Sequence, residues 1–308
     1  MVASLIDPRI KLRHVACFLE INRQGGVVGA GAALGLSQPA VSKAVTELED
    51  ILGVALFDRS RRKLALTGFG EMFLRYATTS VAALREGIES VANAQTRAAV
   101  VRLGALPTVE VEVVPRAVLR FLQGPLACRV QVESGPSPHL LNLLRTGAID
   151  FFIGRMPHTD VMTGLTFEHL YSEDLVLAAR PGHPLAGTGE LSLRAIERFP
   201  VLMPPPGAII RPTVDALLVA NSVGRLAQEI ETVSNSFGRA YVLMSDAVWF
   251  ISRSVVATDL EQGDLVALEM DMVASHGPVG ITTRAGAELG VPTLAMIDAV
   301  RAEVEERG

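Results

Sequence analysis

With 308 residues, 49% of them hydrophobic, the chain has the length of about two ordinary domains and enough apolar content to bury a substantial core, which excludes a disordered or fibrous protein. Its two cysteines, Cys17 and Cys128, stand far apart with no C-x-x-C or Cys/His cluster, so neither a disulfide framework nor a metal site is expected, and a reducing compartment is. The formal charge of −5 speaks against nonspecific nucleic-acid binding, but residues 1–70 hold nine Lys/Arg against six Asp/Glu, a local +3 that leaves −8 for the rest; a basic head on an acidic body suits one module that faces phosphates and another with a different task.

Residues 1–13 carry no apolar targeting core, and no later stretch approaches the ~18 apolar residues of a membrane span. A soluble cytoplasmic protein without membrane contact is expected. Leu12, Val15, Ala16 and Leu19 recur at helical spacing, which predicts a first helix over Lys11–Arg23, ending before Gly25-Gly26. Ala30, Ala33 and Leu34 mark a short second helix, and Gly35-Leu36 a turn. Ser37 is a good N-cap with Pro39 tolerated in the first turn, and a third helix runs to about Leu52. On it Val41, Val45, Leu48 and Leu52 form one stripe, while Gln38, Ser42 and Thr46 form another beside Lys43. The first stripe packs and the second is free to touch DNA, since a major groove ~12 Å wide admits one α-helix and hydroxyl, amide and ammonium groups match base edges and phosphates.

In Leu56 to Thr67, apolar strands flank a basic tip of Arg59, Arg61, Arg62 and Lys63, the pattern of a β-hairpin wing laid against phosphate or minor groove. A solvated loop would also explain such a tip, but its place directly after a helix-turn-helix favours the wing. Ser37, Gln38, Pro39, Ser42, Lys43, Thr46 and the four wing cations are thus the candidate DNA-binding residues. The run Gly29-x-Gly31-x-x-x-Gly35 imitates a dinucleotide fingerprint but lacks the preceding strand and the acidic strand end that such a site needs.

From about Thr67 to Arg97 there is no proline, and Phe73, Ala77, Leu84, Ile88 and Val91 keep helical spacing. One helix of about 45 Å is expected, too long for so small a head to cover. Beyond it, strands over Val100–Leu106, Arg129–Glu133 and Ile149–Ile153 alternate with helices near Glu112–Leu122 and Pro138–Arg145. Strands over Leu175–Ala179, Val201–Met203, Glu229–Val233, Val248–Ile251 and Val279–Thr283 continue the alternation to a terminal helix. The expected fold is therefore an all-α winged helix-turn-helix, a linker helix, and an α/β body of two subdomains. Ligands of open α/β sheets bind beyond the carboxyl ends of the strands, which nominates Thr108, Val109, Ser134, Gly135, Arg155, Pro204, Arg211, Ser234 and Asn235. Hydroxyls with Arg155 and Arg211 would suit a carboxylate; loop caps and surface charges are the plainer explanation for any one of them.

The combination Gly35-Leu36-Ser37-Gln38-Pro39-Ala40-Val41-Ser42, Leu48-Glu49, Leu52-Gly53, Leu56-Phe57, Arg59 and Leu66-Thr67-x-x-Gly70 closely resembles the LysR-type regulators. It departs at Gly26, where a capping serine is usual, and at Gly29 and Gly31, interior glycines that would each cost about 0.5–1 kcal/mol relative to alanine. The resemblance implies a DNA-binding head over 1–67, a linker helix over 68–98 that pairs with a second protomer, and an effector-binding body over 99–308. The body resembles a periplasmic solute-binding fold whose chain crosses between subdomains near Tyr171 and returns near Ser275, giving 99–170 with 276–308 and, between them, 171–275. It also implies operator DNA, RNA polymerase and a small-molecule effector as partners, and an even homo-oligomer, dimer or tetramer. Gly104 to Val109, Phe167 to Glu173 and Arg180 to Leu185 look like a subgroup containing an activator of protocatechuate-degradation genes and sugar-responsive relatives; the former implies a carboxylated muconate-type effector. No cofactor is implied. An enzyme is disfavoured, since no G-x-S-x-G, H-E-x-x-H or Walker loop occurs and the six histidines are scattered. A stand-alone solute-binding protein is opposed by the head.

Overall fold

The computed structural model describes residues 7–58, 64–96, 99–187, 189 and 192–306. The head begins with α1 (Leu12–Gln24), α2 (Val27–Leu34) and α3 (Gln38–Leu52). Each closes on a left-handed glycine, Gly25, Gly35 and Gly53, the conformation that ends helices most cheaply when no Cβ is present. Two short strands follow, β1 (Phe57–Asp58) and β2 (Ala65–Leu66), paired antiparallel with Phe57 opposite Leu66. The 29-residue α4 (Gly68–Thr96) ends this part. Phe18, Ile21, Val41, Val45, Leu48 and Leu56 form its core, and Phe18 carries the centre, its ring 5.3 Å from Phe57 and 5.1 Å from Phe73.

The spacings in the head acquire physical reasons. The Glu49 carboxylate accepts the N–H groups of Leu56 and Phe57 at 2.8 and 3.1 Å, so α3 holds the first wing strand directly. Thr67 caps α4: its Oγ1 accepts the Gly70 N–H at 3.0 Å and donates to the Ala55 carbonyl at 2.7 Å. Gly70 is required because a Cβ there would lie 2.1 Å from the Leu56 carbonyl oxygen. Gly70→Ala is therefore expected to cost about 2 kcal/mol or more, the range for forced overpacking, read as a lower urea midpoint. Gly31 behaves contrary to its helix propensity. The Leu36 N–H closes on its carbonyl at 2.9 Å, and a Cβ would meet the Leu36 oxygen at 2.8 Å. Gly31→Ala is expected to destabilise the head rather than gain the fraction of a kcal/mol that propensity alone assigns.

The body consists of β3 (Ala99–Ala105), α5 (Val113–Leu122), β4 (Cys128–Ser134), α6 (Ser137–Arg145), β5 (Phe151–Arg155), β6 (Leu165–Glu173), β7 (Leu175–Ala179) and β8 (Pro200–Met203). It continues through α7 (Arg211–Ala220), β9 (Gln228–Glu231), α8 (Asn235–Leu243), β10 (Val248–Ser252), α9 (Ala257–Gln262), β11 (Val266–Ala267), β12 (Gly277–Arg284) and α10 (Val291–Glu305). Two five-stranded sheets result, in the orders β4-β3-β5-β12-β6 and β11-β7-β10-β8-β9. In the first, β3 pairs parallel with β4 and β5, while β12 pairs antiparallel with β5 and β6. The second places β8 parallel to β9 and β10, with β7 antiparallel to β10 and β11.

Both faces of the second sheet are covered. Leu177, Val201 and Phe250 enter one core, and Ala178, Leu202 and Trp249 the other, which is why Leu175–Ala179 is an uninterrupted apolar run. The third strand starts at Phe151 rather than Ile149, because Asp150 forms a local clamp: its N–H donates to the Arg102 carbonyl, and its carboxylate accepts the Arg102 N–H, both at 2.7 Å. Strand β6 was not expected at all; its Glu168, His169 and Ser172 hide the apolar alternation.

His183 is buried in this half, its ring 4.6 Å from Phe199. Its Nδ1 accepts the Leu185 N–H at 3.1 Å, and its Nε2 lies 3.1 Å from the Asp246 carbonyl, which fits a neutral ring protonated on Nε2. Burial depresses its pKa below the ordinary 6.5, against the raising effect of Asp246. A base with a depressed folded pKa contributes stability above its unfolded value, and that contribution is lost as pH falls through the window between the two. The advantage of the wild type over His183→Gln in urea midpoint should therefore shrink as pH falls below the ordinary histidine value of 6.5.

Candidate functional site

On α3, Gln38, Pro39, Ser42, Lys43 and Thr46 are all exposed together with the capping Ser37, while Val41, Ala44, Val45 and Leu48 are buried. Ser37 spends its Oγ on the Ala40 N–H at 3.4 Å. Lys43 leans toward Glu47 at 3.9 Å, an exposed pair of little strength. The helix thus turns one continuous polar face to solvent, as the periodicity requires. Arg59, Arg61, Arg62 and Lys63 lie outside the described residues.

A second candidate site lies in the body, where both sheets contribute to one small cavity of about 50 Å³. From the first sheet's half come Leu106, Pro107 and Thr108 after β3, and Pro136 and Ser137 at the start of α6. The other half supplies Pro204 and Ala208–Ile210 before α7, Thr232, Val233 and Asn235 around the start of α8, and Trp249–Ile251 from β10. Two hydrogen bonds join the halves here: Asn235 Nδ2 donates to the Pro107 carbonyl at 2.6 Å, and Ser254 Oγ to the Thr108 carbonyl at 3.1 Å. Trp249 is the only tryptophan of the chain. Gly238 allows α8 onto its indole, since a Cβ would stand 2.6 Å from the ring.

Of the nine residues nominated for the ligand, the structure brings Thr108, Pro204 and Asn235 to this cavity. Val109 is buried in the first sheet's core. Ser134 is exposed at the end of β4, an edge strand, and Gly135 packs on His139, where a Cβ would lie 2.8 Å from the ring. Ser234 caps α8, its Oγ accepting the Phe237 N–H at 3.3 Å. Arg211 bonds the Pro204 carbonyl at 3.0 Å but is engaged by Asp215 and Glu231, each at 2.8 Å, and by Glu229 at 3.4 Å. Arg155 is only 6% exposed and is spent on backbone. Its Nη2 donates to the Glu173 carbonyl at 2.6 Å, and both Nη atoms donate to that of Ser275 at 3.0 Å. Those two carbonyls lie where the chain crosses between the sheets, so Arg155 ties the crossings together. Sequence reasoning missed Trp249 and Ile251, apolar residues that a search for polar strand ends passes over.

Comparison with known proteins decides what this arrangement belongs to. Residues 12–71 match the bacterial regulatory helix-turn-helix of the lysR family, and residues 94–305 the LysR substrate binding domain. The chain belongs to the LysR family of transcriptional regulators. Such regulators bind operator DNA and small-molecule effectors and form oligomers, and this family member is not an enzyme. It is 42% identical to the HTH-type transcriptional regulator PcaQ of Agrobacterium fabrum over 96% of each chain. The same fold occurs in a full-length OxyR variant from Pseudomonas aeruginosa, with TM-score 0.60 and 22% identity, covering 94% of this chain and 97% of that one. A full-length CbnR solved with its target DNA gives TM-score 0.55 and 20% identity, covering 96% and 100%. Among the described residues no group of three His, Cys, Asp or Glu could hold a metal ion, and no helix is long and apolar enough to cross a membrane.

Proposed function

We propose that this LysR-family regulator activates genes of aromatic-acid catabolism, of the protocatechuate type. The observation that carries the reading is the 42% identity to PcaQ over 96% of both chains. Residues 1–67 bind DNA, 68–98 form the linker, and 99–308 bind the effector, with 99–170 and 276–308 as one subdomain and 171–275 as the other. Gln38, Pro39, Ser42, Lys43 and Thr46 enter the major groove, Ser37 positions the helix start, and the wing cations Arg59, Arg61, Arg62 and Lys63 meet phosphates. Effector binding reorients the subdomains, shifts how paired heads sit on two half-sites, and so alters contact with RNA polymerase; this requires the effector to prefer one state.

Support for a paired linker comes from α4, where Phe69, Met72, Tyr76, Leu84 and Ile88 are exposed, an apolar stripe that gains by burial against a partner on a helix about 43 Å long. Ile88→Glu is expected to shift the protein toward monomer in sedimentation velocity. Fluorescence polarisation on DNA upstream of the regulated gene tests the whole reading. Ser42→Ala and Lys43→Ala should weaken binding by about 1–3 kcal/mol each for a base contact, or reduce the salt slope by about one for a phosphate contact, with ligand binding unchanged. Unchanged DNA affinity in both variants would remove that surface, and a response confined to sugars would replace the aromatic-acid effector.

A further inference from the structure

The head holds one histidine that its polar face does not use. His14 lies in the first turn of α1 with only 2% of its surface exposed, yet both of its ring nitrogens are engaged. Its Nδ1 accepts the Lys11 N–H at 3.3 Å, closing the start of α1, so the proton of the ring sits on Nε2. That nitrogen lies 3.1 Å from Oε2 of Glu47 on α3 and donates to it. A buried donor thus joins α1 to the helix proposed to enter the major groove, at a place where water competes little. Arg13 reaches the same oxygen at 3.4 Å, but its side chain is 59% exposed, and a contact of that kind adds little.

Glu47 stands one turn beyond Lys43 and is placed to neutralise it. Its Oε1 nevertheless stays 3.9 Å from the Lys43 Nζ, too far for a hydrogen bond, and lysine preceding glutamate by four residues is the weaker order for such a pair. With Oε2 held by α1, the carboxylate stops short of the ammonium, whose side chain remains 79% exposed. On a face that meets DNA the distinction matters, because a lysine already neutralised by its own helix has little charge left to offer a phosphate. We propose that His14 is a positioning residue for DNA binding: its bond to Glu47 sets α3 on α1 and holds the carboxylate off Lys43, leaving that ammonium for a backbone phosphate. This rests on reading α3 as the groove helix, and it assigns Lys43 to phosphate rather than to a base edge.

Fluorescence polarisation on operator DNA across a salt series tests this, with circular dichroism to establish that each full-length variant is folded. His14→Leu removes the donor and keeps an apolar side chain of similar volume. Its DNA affinity should fall about fivefold or more at low salt, and the slope of log affinity against log salt should flatten by roughly 0.9, the share of one phosphate contact. Adding Glu47→Gln to His14→Leu removes the charge that captures Lys43, so the slope should return to the wild-type value. A histidine that only packs would lower affinity equally at every salt concentration, with a slope that neither His14→Leu nor the added Glu47→Gln moves, and that result overturns the proposal. If His14→Leu does not fold, Glu47→Gln alone decides, since its amide oxygen still accepts from Nε2. An unchanged slope then supports the proposal, and a slope steeper than wild type by roughly 0.9 shows the carboxylate already neutralising Lys43 and overturns it. Lys43→Ala separates this role from the wider reading of α3. A slope that flattens with Lys43→Ala but not with His14→Leu overturns the positioning role alone, whereas a slope unchanged by Lys43→Ala removes the phosphate contact itself and both readings of Lys43 with it.

Discussion

Phe18→Ala is expected to unfold the head under conditions where the wild type binds DNA. The ring is fully buried and touches Phe57 of the wing strand and Phe73 of the long helix, so its loss leaves a cavity at the point where α1, β1 and α4 meet. Truncating a buried phenylalanine typically costs about 3–5 kcal/mol. A domain this small has little more than that in reserve. Polarisation on operator DNA should fall to background, while urea denaturation followed at Trp249 still reports a folded body, because the cluster around Phe18 draws on no described residue beyond Ala77. Phe18→Leu, which keeps most of the volume, should cost about 1 kcal/mol and retain binding at low temperature. Full DNA affinity in Phe18→Ala would mean that the packing described for the head is not what holds it.

Arg155→Met should destabilise the body by about 3 kcal/mol and leave the chemistry of the cavity untouched. The substitution keeps much of the volume but strips the donors from two buried carbonyls, those of Glu173 and Ser275, and an unsatisfied buried acceptor costs about 1–3 kcal/mol. Arg155→Lys should recover little, since an ammonium lacks the planar fork that reaches both oxygens. Urea denaturation followed at Trp249 reads the loss, and limited proteolysis should cut more readily at the crossings near residues 174 and 275. The alternative, in which Arg155 grips the effector carboxylate, makes the opposite prediction: ligand affinity falls and the urea midpoint stays. The two measurements on one variant separate a tether from a ligand.

Much of the head is legible in sequence because its signals are periodic and local. The two stripes of α3 separate by spacing alone, and the cap at Ser37 and the terminal glycines are single-residue signals. The role of Gly70 is not legible, because its reason is a carbonyl fourteen residues earlier brought close by the wing. In the body, the rule that ligands sit beyond strand ends finds the right loops and the wrong side chains. Arg155 and Arg211 look like carboxylate binders because charge at a strand end suggests chemistry, and nothing local reveals that backbone and acidic neighbours have already taken them. Trp249 and Ile251 read as core, which they also are; the end of their strand borders the cavity. Strand β6 is invisible because Glu168, His169 and Ser172 break its apolar alternation and the strand it pairs with, β12, lies more than a hundred residues away.

That partnership has a consequence for synthesis. Strand β12 lies between β5 and β6 in the first sheet and comes from the last tenth of the chain. As the polypeptide leaves the ribosome, every strand of the second sheet emerges before the first sheet can be completed, so the sheet begun earliest is finished last. Until residue 284 is available, β5 and β6 each present a bare edge, the kind that pairs with other chains. A truncation ahead of Gly277 would therefore spare the second sheet's own strands yet yield an aggregating product.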